Sequence, residues 1–328
     1  MKIVITGGTG FIGLLLAQRL IERGTLTGSS GRPEPIDKIV LFDVARPPSL
    51  PKALDGRVEV VIGDVSDAKL LHSLVSGESV SVFHLASVVS AGAELDFDLA
   101  LDVNLHGGLA LFEATRALPR PARLVFTSSI AVFGGDRLPE TVTDETKPTP
   151  KTTYGMTKAV LELLVTDYTR KGFFDGRGAR LPTVIVRPGK PNQAASGFAS
   201  GVFREPLAGI DYELPVGPEI SMPVLGYRRV VEGLIHLHEL APGALGHDRT
   251  INFPSIAVKV GEMVESLKRV AGNRKIGAVT TVRDPAIEAI CRTWPGKASA
   301  ERAKALGFPT DSGIDPIVRA YIEDYVER

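Results

Sequence analysis

The sequence contains very little cysteine, because Cys291 is the only thiol among 328 residues. A single cysteine excludes an intramolecular disulfide and any zinc site built from several cysteines. No apolar run approaches the ~18 residues that a membrane-spanning helix needs. The first apolar run passes into glycines at Gly7, too early for a signal peptide. These absences predict a protein of a reducing, cytoplasmic compartment.

An excess of charge of either sign is also absent. The 38 Lys and Arg residues balance 38 Asp and Glu residues, so the formal net charge is zero. Proteins that bind nucleic acid or anionic membranes usually carry a basic excess or a basic run, and neither is present. The composition, 44% hydrophobic and 23% charged, is that of an ordinary globular protein.

Metal-binding patterns are missing as well. The histidines are scattered, and His236 and His238 lie two positions apart on a predicted helix, so they point in different directions. We therefore predict no catalytic metal. The single tryptophan, Trp294, lies beside Pro295 and is interpreted as a packing residue rather than a ligand contact.

Apolar runs alternate with helical stretches through about the first 190 residues. The runs are short and rich in Val and Ile, as in strands covered on both faces of a parallel sheet. They span residues 2–6, 38–42, 58–62, 79–85, 123–127 and 183–186. Stretches of helical spacing, such as 12–23 and 99–117, lie between them. The alternation predicts an α/β fold with a doubly wound parallel sheet of the Rossmann type.

A glycine-rich turn follows the first run. Gly7, Gly10 and Gly13 stand where a tight turn, a close approach to a pyrophosphate and close helix packing require glycine. The helix that begins near Phe11 and Ile12 offers free N–H groups and the positive end of its dipole to phosphates. A purely structural turn is the alternative, but strand, turn and helix occur in the order that a dinucleotide site needs.

Acidic residues end the second and third runs. Asp43 can accept hydrogen bonds from ribose hydroxyls and would repel a 2′-phosphate, so it predicts NAD rather than NADP. The alternative is a solvated carboxylate at a strand end. Asp64 and Val65 are candidates to contact the adenine, although Asp64 could equally cap a helix.

The composition of the sequence changes after Arg187, and residues 188–223 are rich in Gly, Pro, Ser and Asn. We predict an NAD-binding domain over 1–187 and a smaller, mainly substrate-binding C-terminal lobe over 188–328. Part of 227–258 is expected to pack back on the first domain. Helices are predicted at 227–240, 261–271, 298–306 and 316–326, and the loop 25–37 is predicted to be an exposed insertion.

Tyr154 and Lys158 lie four residues apart and therefore share a helix face. A neighbouring ammonium stabilises a phenolate and lowers the pKa of a tyrosine from its usual ~10. Upstream, the fifth run leads into Ser128 and Ser129, at the edge of the sheet where α/β proteins bind ligands. This order predicts that Ser129 holds a substrate oxygen beside Tyr154.

With these motifs the sequence resembles the extended short-chain dehydrogenases/reductases, a family that includes nucleotide-sugar epimerases. The resemblance covers essentially the whole chain, including His84 to Ser87 and Arg187 to Gly189. It implies a catalytic set of Ser129, Tyr154 and Lys158. It also assigns to the cofactor Leu85, Ala86, Asn104, Tyr154, Lys158 and Pro188. A packing role alone is the alternative for Asn104.

Less generic segments, among them 83–90, 186–192 and 198–207, resemble the D-erythronate dehydrogenase group, which oxidises a four-carbon sugar acid at C2 with NAD. Arg228 and Arg229 stand where nucleotide-sugar epimerases usually carry an acidic pair, which favours a small acid over a UDP-sugar. One alternative is a nucleotide-sugar epimerase or dehydratase that uses tightly bound NAD. A non-catalytic NAD-binding regulator is the other, and the complete Ser-Tyr-Lys set argues against it.

The carboxylate of a small acid needs a cation close to the nicotinamide. We predict that Arg204, helped by Lys190, binds it, with Arg228 in reserve. Pairing of Arg204 with Glu205 at the surface is the alternative. The predicted substrate set is completed by Ser87, Ser90, Ser129, Tyr154 and Asn192.

Helices 99–117 and 154–171 carry more apolar residues than one face of the sheet needs. The surplus comprises Leu101, Leu105, Leu109, Leu161, Leu164 and Val165. In similar proteins these helices pair across a two-fold axis, so the sequence predicts an isologous homodimer.

Overall fold

Parallel strands dominate the computed structural model, which describes residues 1–47, 49–189 and 195–326. The strands are β1 (Lys2–Thr6), β2 (Thr25–Thr27), β3 (Pro33–Pro35), β4 (Lys38–Asp43), β5 (Glu59–Ile62), β6 (Val80–His84), β7 (Arg123–Ser129), β8 (Thr141–Val142), β9 (Asp175–Leu181), β10 (Thr183–Ile185), β11 (Tyr212–Leu214), β12 (Ser221–Gly226), β13 (Thr250–Asn252), β14 (Ile256–Lys259), β15 (Val279–Thr281) and β16 (Lys297–Ala298). The helices are α1 (Phe11–Arg23), α2 (Ala68–Leu74), α3 (Ser90–Leu95), α4 (Phe97–Ala100), α5 (Gly107–Arg116), α6 (Thr153–Arg170), α7 (Phe198–Leu207), α8 (Tyr227–Glu239), α9 (Val260–Ala271), α10 (Pro285–Cys291), α11 (Glu301–Ala305) and α12 (Ile314–Tyr321). Turns of π-helix cover Leu101–His106 and Ile322–Val326.

A seven-stranded sheet in the order β13-β9-β7-β6-β1-β4-β5 forms the centre, and every neighbouring pair is parallel. Ile3 and Ile5 face a core shared with α1 and α8, whereas Val4 faces a core shared with α5 and α6. Alternate residues of a strand point to opposite faces, so a continuous apolar run is what a sheet covered on both sides requires. The predicted doubly wound fold is confirmed.

The chain leaves β1 toward β4 on one side and returns to β6 on the other. In such sheets ligands bind at the carboxyl ends of the strands on either side of this reversal. The topology therefore directs attention to the ends of β1, β6 and β7.

The sixth strand of the sheet is not the predicted run 183–186 but β9, which carries two buried arginines. The Arg177 side chain donates to the carbonyls of Leu237, His238 and Leu240 at the end of α8, and Arg180 pairs with Glu162. The sequence pattern did not predict this strand, because its two arginines are unlike the residues of a buried strand and find their partners only in the folded structure. Residues 183–185 instead form β10, in a second sheet of order β10-β12-β14.

The C-terminal half contributes to both parts of the molecule. Its strand β13 pairs with β9 in the central sheet, and α8 packs in the same core as α1. A separate core gathers α7, α9 and α12 around the second sheet. Helix α7 lies within residues 188–223, where the high content of Gly, Pro, Ser and Asn gave no sign of a helix.

The predicted exposed insertion at 25–37 is partly wrong. It contains a short antiparallel hairpin of β2 and β3, and Leu26 is buried against the first core. Nowhere in residues 1–47, 49–189 and 195–326 does a helix combine the length and the apolar character needed to cross a membrane.

Candidate active site

The glycine turn after β1 is held against the end of β6. Gly7 has a φ of +67°, and a Cβ placed on it would lie 2.7 Å from the backbone nitrogen of Ala86. A Cβ on Gly13 would lie 2.5 Å from the carbonyl oxygen of Gly7. Side chains are therefore excluded where the turn meets the strand and the helix.

The first backbone N–H groups of helix α1 have no capping side chain to accept their hydrogen bonds. Its N-cap is Gly10, which has no side chain to accept from the first turn, and that turn contains no acidic residue. The first N–H groups of a helix, here from Phe11 and Ile12 onward, lack intrahelical acceptors. This arrangement fits a dinucleotide pyrophosphate, which would take these N–H groups at the positive end of the helix dipole.

Asp43 is joined directly to the glycine loop. Its Oδ2 accepts from the backbone N–H of Thr9 at 3.1 Å, and its Oδ1 accepts from Val44 at 2.8 Å. Val44 and Ile62, at the ends of neighbouring strands, are 63% and 41% exposed. A half-buried carboxylate flanked by exposed apolar side chains fits the ribose and adenine of a dinucleotide.

Asp64 does not cap a helix. Its Oδ1 accepts from the backbone N–H and the hydroxyl of Ser66 at 2.8 and 2.9 Å. The cap of α2 is Asp67, which accepts from Leu70 at 3.0 Å. The helix-cap alternative is therefore wrong for Asp64, whose side chain is exposed, whereas Val65 is buried.

The end of β7 meets one face of α6, and there the structure brings the Ser-Tyr-Lys set together. The hydroxyl of Ser129 shares a hydrogen bond with the phenol of Tyr154. The ammonium of Lys158 donates to the carbonyl of Thr127 at 2.8 Å and lies 5.6 Å from the centre of the Tyr154 ring. Thr152 caps the helix by accepting from Gly155 at 3.0 Å.

Desolvation governs the titration of this set. It raises the pKa of Tyr154, against the hydrogen bond with Ser129 and the charge of Arg187, which both favour the phenolate. It also lowers the pKa of Lys158 to about 7, against the carboxylate of Glu162. The expected lowering of the Tyr154 pKa by Lys158 is thus not observed, because burial outweighs the favourable contacts.

Asn104 fixes the loop after β6 instead of lining the cavity. Its Oδ1 accepts from the backbone N–H of Val88 at 2.7 Å and from the hydroxyl of Ser87 at 3.0 Å. Its Nδ2 donates to the carbonyl of Val88 at 3.0 Å. The residue lies in the π-helical turn before α5 and is buried, so it acts on the site through the loop that it holds.

A cavity of about 260 Å³ opens beside Tyr154 and is walled by both parts of the molecule. The predicted site residues that line it are Ile12, Leu85, Ser87, Ser90, Ser129, Tyr154 and Lys158. Trp294 packs against the second core, as expected, and also lines the cavity. Arg187 is a further lining residue, which the sequence analysis did not predict to bind the substrate.

Arg204 is placed elsewhere. One of its nitrogens pairs with Glu205 at 2.5 Å, and another donates to the carbonyl of Arg187 at 3.0 Å. It is not among the described residues that line the cavity. The alternative weighed from the sequence, pairing with Glu205, is therefore the arrangement observed. Lys190 and Asn192 lie outside the described residues, whereas Pro188 is half-buried within them.

The side chains of Arg228 and Arg229 are also paired with carboxylates. The Arg228 guanidinium donates to Asp324 at 2.9 Å and to Glu323 at 3.0 Å. Arg229 pairs with Glu232 at 2.5 Å. Both arginines are therefore neutralised by the protein itself, which weakens the sequence argument that they select a small acid.

The guanidinium of Arg187 lines the cavity together with the ammonium of Lys158. Its backbone is anchored by the hydroxyl of Ser200, which accepts from its N–H at 3.0 Å, and by Arg204 at its carbonyl. Its charge interacts with the phenol of Tyr154 and, unfavourably, with Arg204. Burial and Arg204 lower its pKa, but a guanidinium stays protonated. Within the described residues no carboxylate forms an ion pair with it.

The sequence profile of the NAD-dependent epimerase/dehydratase family matches residues 3–219. The chain belongs to this family. Two curated members are similar over nearly their whole length: the D-erythronate dehydrogenase of Cupriavidus necator is 48% identical over 99% of this chain and 98% of its own, and that of Haemophilus influenzae is 39% identical over 98% and 99%.

A solved member of the family has the same fold. The structure described as the nucleoside-diphosphate-sugar epimerase from Agrobacterium tumefaciens superposes with a TM-score of 0.89 and 40% identity, over 99% of this chain and 94% of that one. The chain is thus an oxidoreductase of the extended short-chain dehydrogenase/reductase type. Its family implies NAD(H) as the cofactor, and the glycine turn, the start of α1 and Asp43 fit that group.

No cluster of three or more His, Cys, Asp or Glu side chains that could hold a metal ion occurs in the part of the chain that the structure describes. The polar chemistry of the cavity is carried by hydroxyls, one ammonium and one guanidinium.

Proposed function

We propose that this enzyme oxidises the C2 hydroxyl of a small sugar acid, similar to D-erythronate, to the 2-keto acid with NAD. The observation that carries the proposal is the guanidinium of Arg187, which faces the cavity beside Tyr154 without a carboxylate partner among the described residues. In a 2-hydroxy acid the carboxylate and the reacting hydroxyl are on adjacent carbons. A cation next to the phenol suits that arrangement, and the names of the two dehydrogenase relatives support a four-carbon acid.

Each polar residue of the cavity has a distinct task in this reaction. Tyr154 takes the proton from the C2 hydroxyl through its phenol oxygen, and Ser129 holds the same hydroxyl in line with it. Tyr154 accepts this proton in its phenolate form and becomes the neutral phenol, and the positive charges of Lys158 and Arg187 beside the ring stabilise that phenolate. Bound NAD⁺ supplies the hydride acceptor and a further positive charge.

The size of the cavity also favours a small substrate. Its volume of about 260 Å³ lies just below the roughly 300–1,000 Å³ typical of ligand pockets. The alternative, a nucleotide-sugar epimerase or dehydratase with tightly bound NAD, draws support from the description of the Agrobacterium structure.

The function is tested by screening the purified enzyme with NAD⁺ against a panel of sugar acids and, in parallel, UDP-sugars. We expect NADH absorbance to appear with four-carbon 2-hydroxy acids. Substrate deuterated at C2 should transfer its label to NADH, and substrate deuterated at C3 should not. Conversion of a UDP-sugar without net NADH, together with no response to any acid, would establish the alternative.

Asp43 should make NAD the preferred cofactor over NADP. The carboxylate accepts from ribose hydroxyls and repels a 2′-phosphate. Replacing Asp43 by Asn should reduce the ratio of kcat/KM for NAD to that for NADP by about 10–100-fold, the value of a hydrogen bond to a charged group. Glu78→Gln, at an exposed carboxylate just before β6 and therefore at the other end of the sheet, is the matched control. An unchanged ratio in Asp43→Asn would assign cofactor choice to other residues.

We further propose an isologous homodimer through the helices beside the site. Leu161 and Val165, which the sequence analysis counted as surplus, are fully buried against the central sheet. The exposed apolar surface is formed instead by neighbours on α3, α4 and α6, namely Leu95, Phe97, Leu99 and Leu163. These elements pack side by side, so their exposed residues form one surface.

Light scattering at micromolar concentration should give twice the mass of one chain. Leu163, which is 72% exposed, can be changed to Glu without disturbing the core, and this change should yield monomers. Ile210→Glu provides the control, because Ile210 is 57% exposed but lies beyond α7. A wild-type monomer would contradict the dimer.

A further inference from the structure

Three successive residues at the end of β7 each hold a different residue of α6. Ser129 bonds Tyr154, the carbonyl of Thr127 accepts from Lys158 at 2.8 Å, and the hydroxyl of Ser128 donates to Glu162 at 2.5 Å. The three helix residues are spaced by four, so they lie in line along one face of α6. Glu162 thus continues the row that begins with Tyr154 and Lys158, although it does not line the cavity.

Glu162 is buried and is held in place by four contacts. Besides Ser128, its carboxylate accepts from Nε of Arg180 at 3.0 and 3.2 Å and from Nη2 at 2.7 Å. Arg180 is itself fixed by the carbonyl of Asp144 at 3.3 Å and by the face of the Phe133 ring. A buried ion pair is costly to desolvate and contributes little net stability compared with apolar residues. The pair satisfies Arg180 and at the same time fixes a carboxylate on the face of α6 that carries Tyr154 and Lys158.

The charged and titratable groups around Lys158 are few. On its own helix they are Tyr154 and Glu162, and on β6 the group is His84, which is neutral because burial lowers its pKa to about 3. The adjoining strand β7 presents an uncharged carbonyl, and Arg187 faces Tyr154. Asn104 on the π-helical turn is neutral. Among the described residues, Glu162 is therefore the carboxylate whose charge favours the Lys158 ammonium.

We propose that Glu162 is a positioning residue that keeps the Lys158 ammonium charged beside Tyr154, with Ser128 and Arg180 fixing the carboxylate. The inference rests on the proposed function, in which Lys158 assists Tyr154. Without the carboxylate, a buried ammonium loses its proton at lower pH. The enzyme would then lose the cation that stabilises the phenolate at pH values where the wild type, in which the pKa of Lys158 is about 7, still keeps it.

The test compares Glu162→Gln, which keeps the shape and the acceptor for Ser128, with Glu162→Asp, which keeps the charge. Lys158 is titrated directly by NMR of the side-chain nitrogen in protein with isotope-labelled lysine. A Lys158→Met spectrum identifies its signal. Glu162→Gln should lower the midpoint of this titration by about one pH unit or more, and Glu162→Asp should lower it less. Asp167→Asn, an exposed ion-pair residue on the same helix, should leave it unchanged.

The pH profile of kcat supplies the second readout. The ratio of wild-type to Glu162→Gln turnover should rise with pH between the Lys158 midpoint of the variant and that of the wild type, where the pKa is about 7, and then level off, because the variant loses its Lys158 charge first. A constant ratio across pH, or a Lys158 titration that matches the wild type, would overturn the inference and leave Glu162 a structural role.

Neutralising Glu162 alone leaves Arg180 buried without a partner, so the single variant can be impaired in folding. The double variant Glu162→Gln/Arg180→Gln removes both charges, and its Lys158 midpoint should still fall, because Glu162 is the one of the two whose charge acts on Lys158. An unchanged midpoint in the double variant would refute the inference. The titration needs no substrate, so a wild-type enzyme that oxidises no sugar acid would refute the proposed function while this test still decides the role of Glu162.

Discussion

Tyr154→Phe is expected to reduce kcat by about 10²-fold or more while the protein still binds NAD. The variant keeps the ring and its packing but loses the oxygen that receives the C2 proton, and general acid–base catalysis is worth roughly 10²–10⁴-fold. Steady-state turnover with the sugar acid measures the loss, and a fluorescence titration with NADH measures cofactor affinity.

Tyr168→Phe is the matched control for this experiment. Tyr168 lies on the same helix, but its hydroxyl donates to Glu113 and it is absent from the described cavity lining. Its loss should leave turnover close to that of the wild type. Near-wild-type turnover in Tyr154→Phe would refute the assignment of the base.

Arg187→Met should lower kcat/KM for the sugar acid by about 10²–10³-fold and for the corresponding amide far less. A guanidinium binds a carboxylate through two charge-assisted hydrogen bonds, each worth more than a neutral one, whereas an uncharged amide forgoes that gain. Methionine keeps much of the length of the arginine stem, so the comparison of acid and amide isolates the charge. Kinetics with both substrates provide the measurement.

Two variants sharpen the result. Arg187→Lys keeps the charge without the bidentate geometry and should fall between wild type and Arg187→Met for the acid. Arg204→Ala removes the support of the Arg187 carbonyl and should affect acid and amide equally, because Arg204 is paired with Glu205. Equal losses for acid and amide in Arg187→Met would show that another cation binds the carboxylate, and Lys190 would be the next residue to test.

Local sequence patterns were sufficient to predict the glycine turn and several of the strands and helices. The glycine turn, the apolar runs of β1, β4, β5, β6 and β7, and helices α1, α8 and α9 occur within two residues of the predicted positions. Each depends on neighbours in the chain: a turn needs glycine at fixed offsets, and a strand buried on both faces needs an unbroken apolar run. The same holds for the Tyr154–Lys158 spacing, because four residues on a helix always share a face.

The sixth strand shows where local patterns stop being sufficient. Its sequence, with Arg177 and Arg180, looks like a surface loop until its partners are known. Those partners, the end of α8 and Glu162, are distant in sequence and satisfy the buried guanidiniums. A charge can lie inside a protein only where such partners exist, so the strand could be recognised only once the chain had folded.

For the same reason, the sequence could not show which of the arginines lines the cavity. Arg187 and Arg204 are equally plausible carboxylate ligands by residue type and position in the chain. Packing of α7 against β10 pairs Arg204 with Glu205 and leaves Arg187 facing the cavity. Residue types and short spacings decided which chemistry this protein carries. Only the folded chain decided that Arg187 and Trp294 line the cavity and that Glu162 is buried against Ser128, because burial and charge pairing depend on contacts between distant segments.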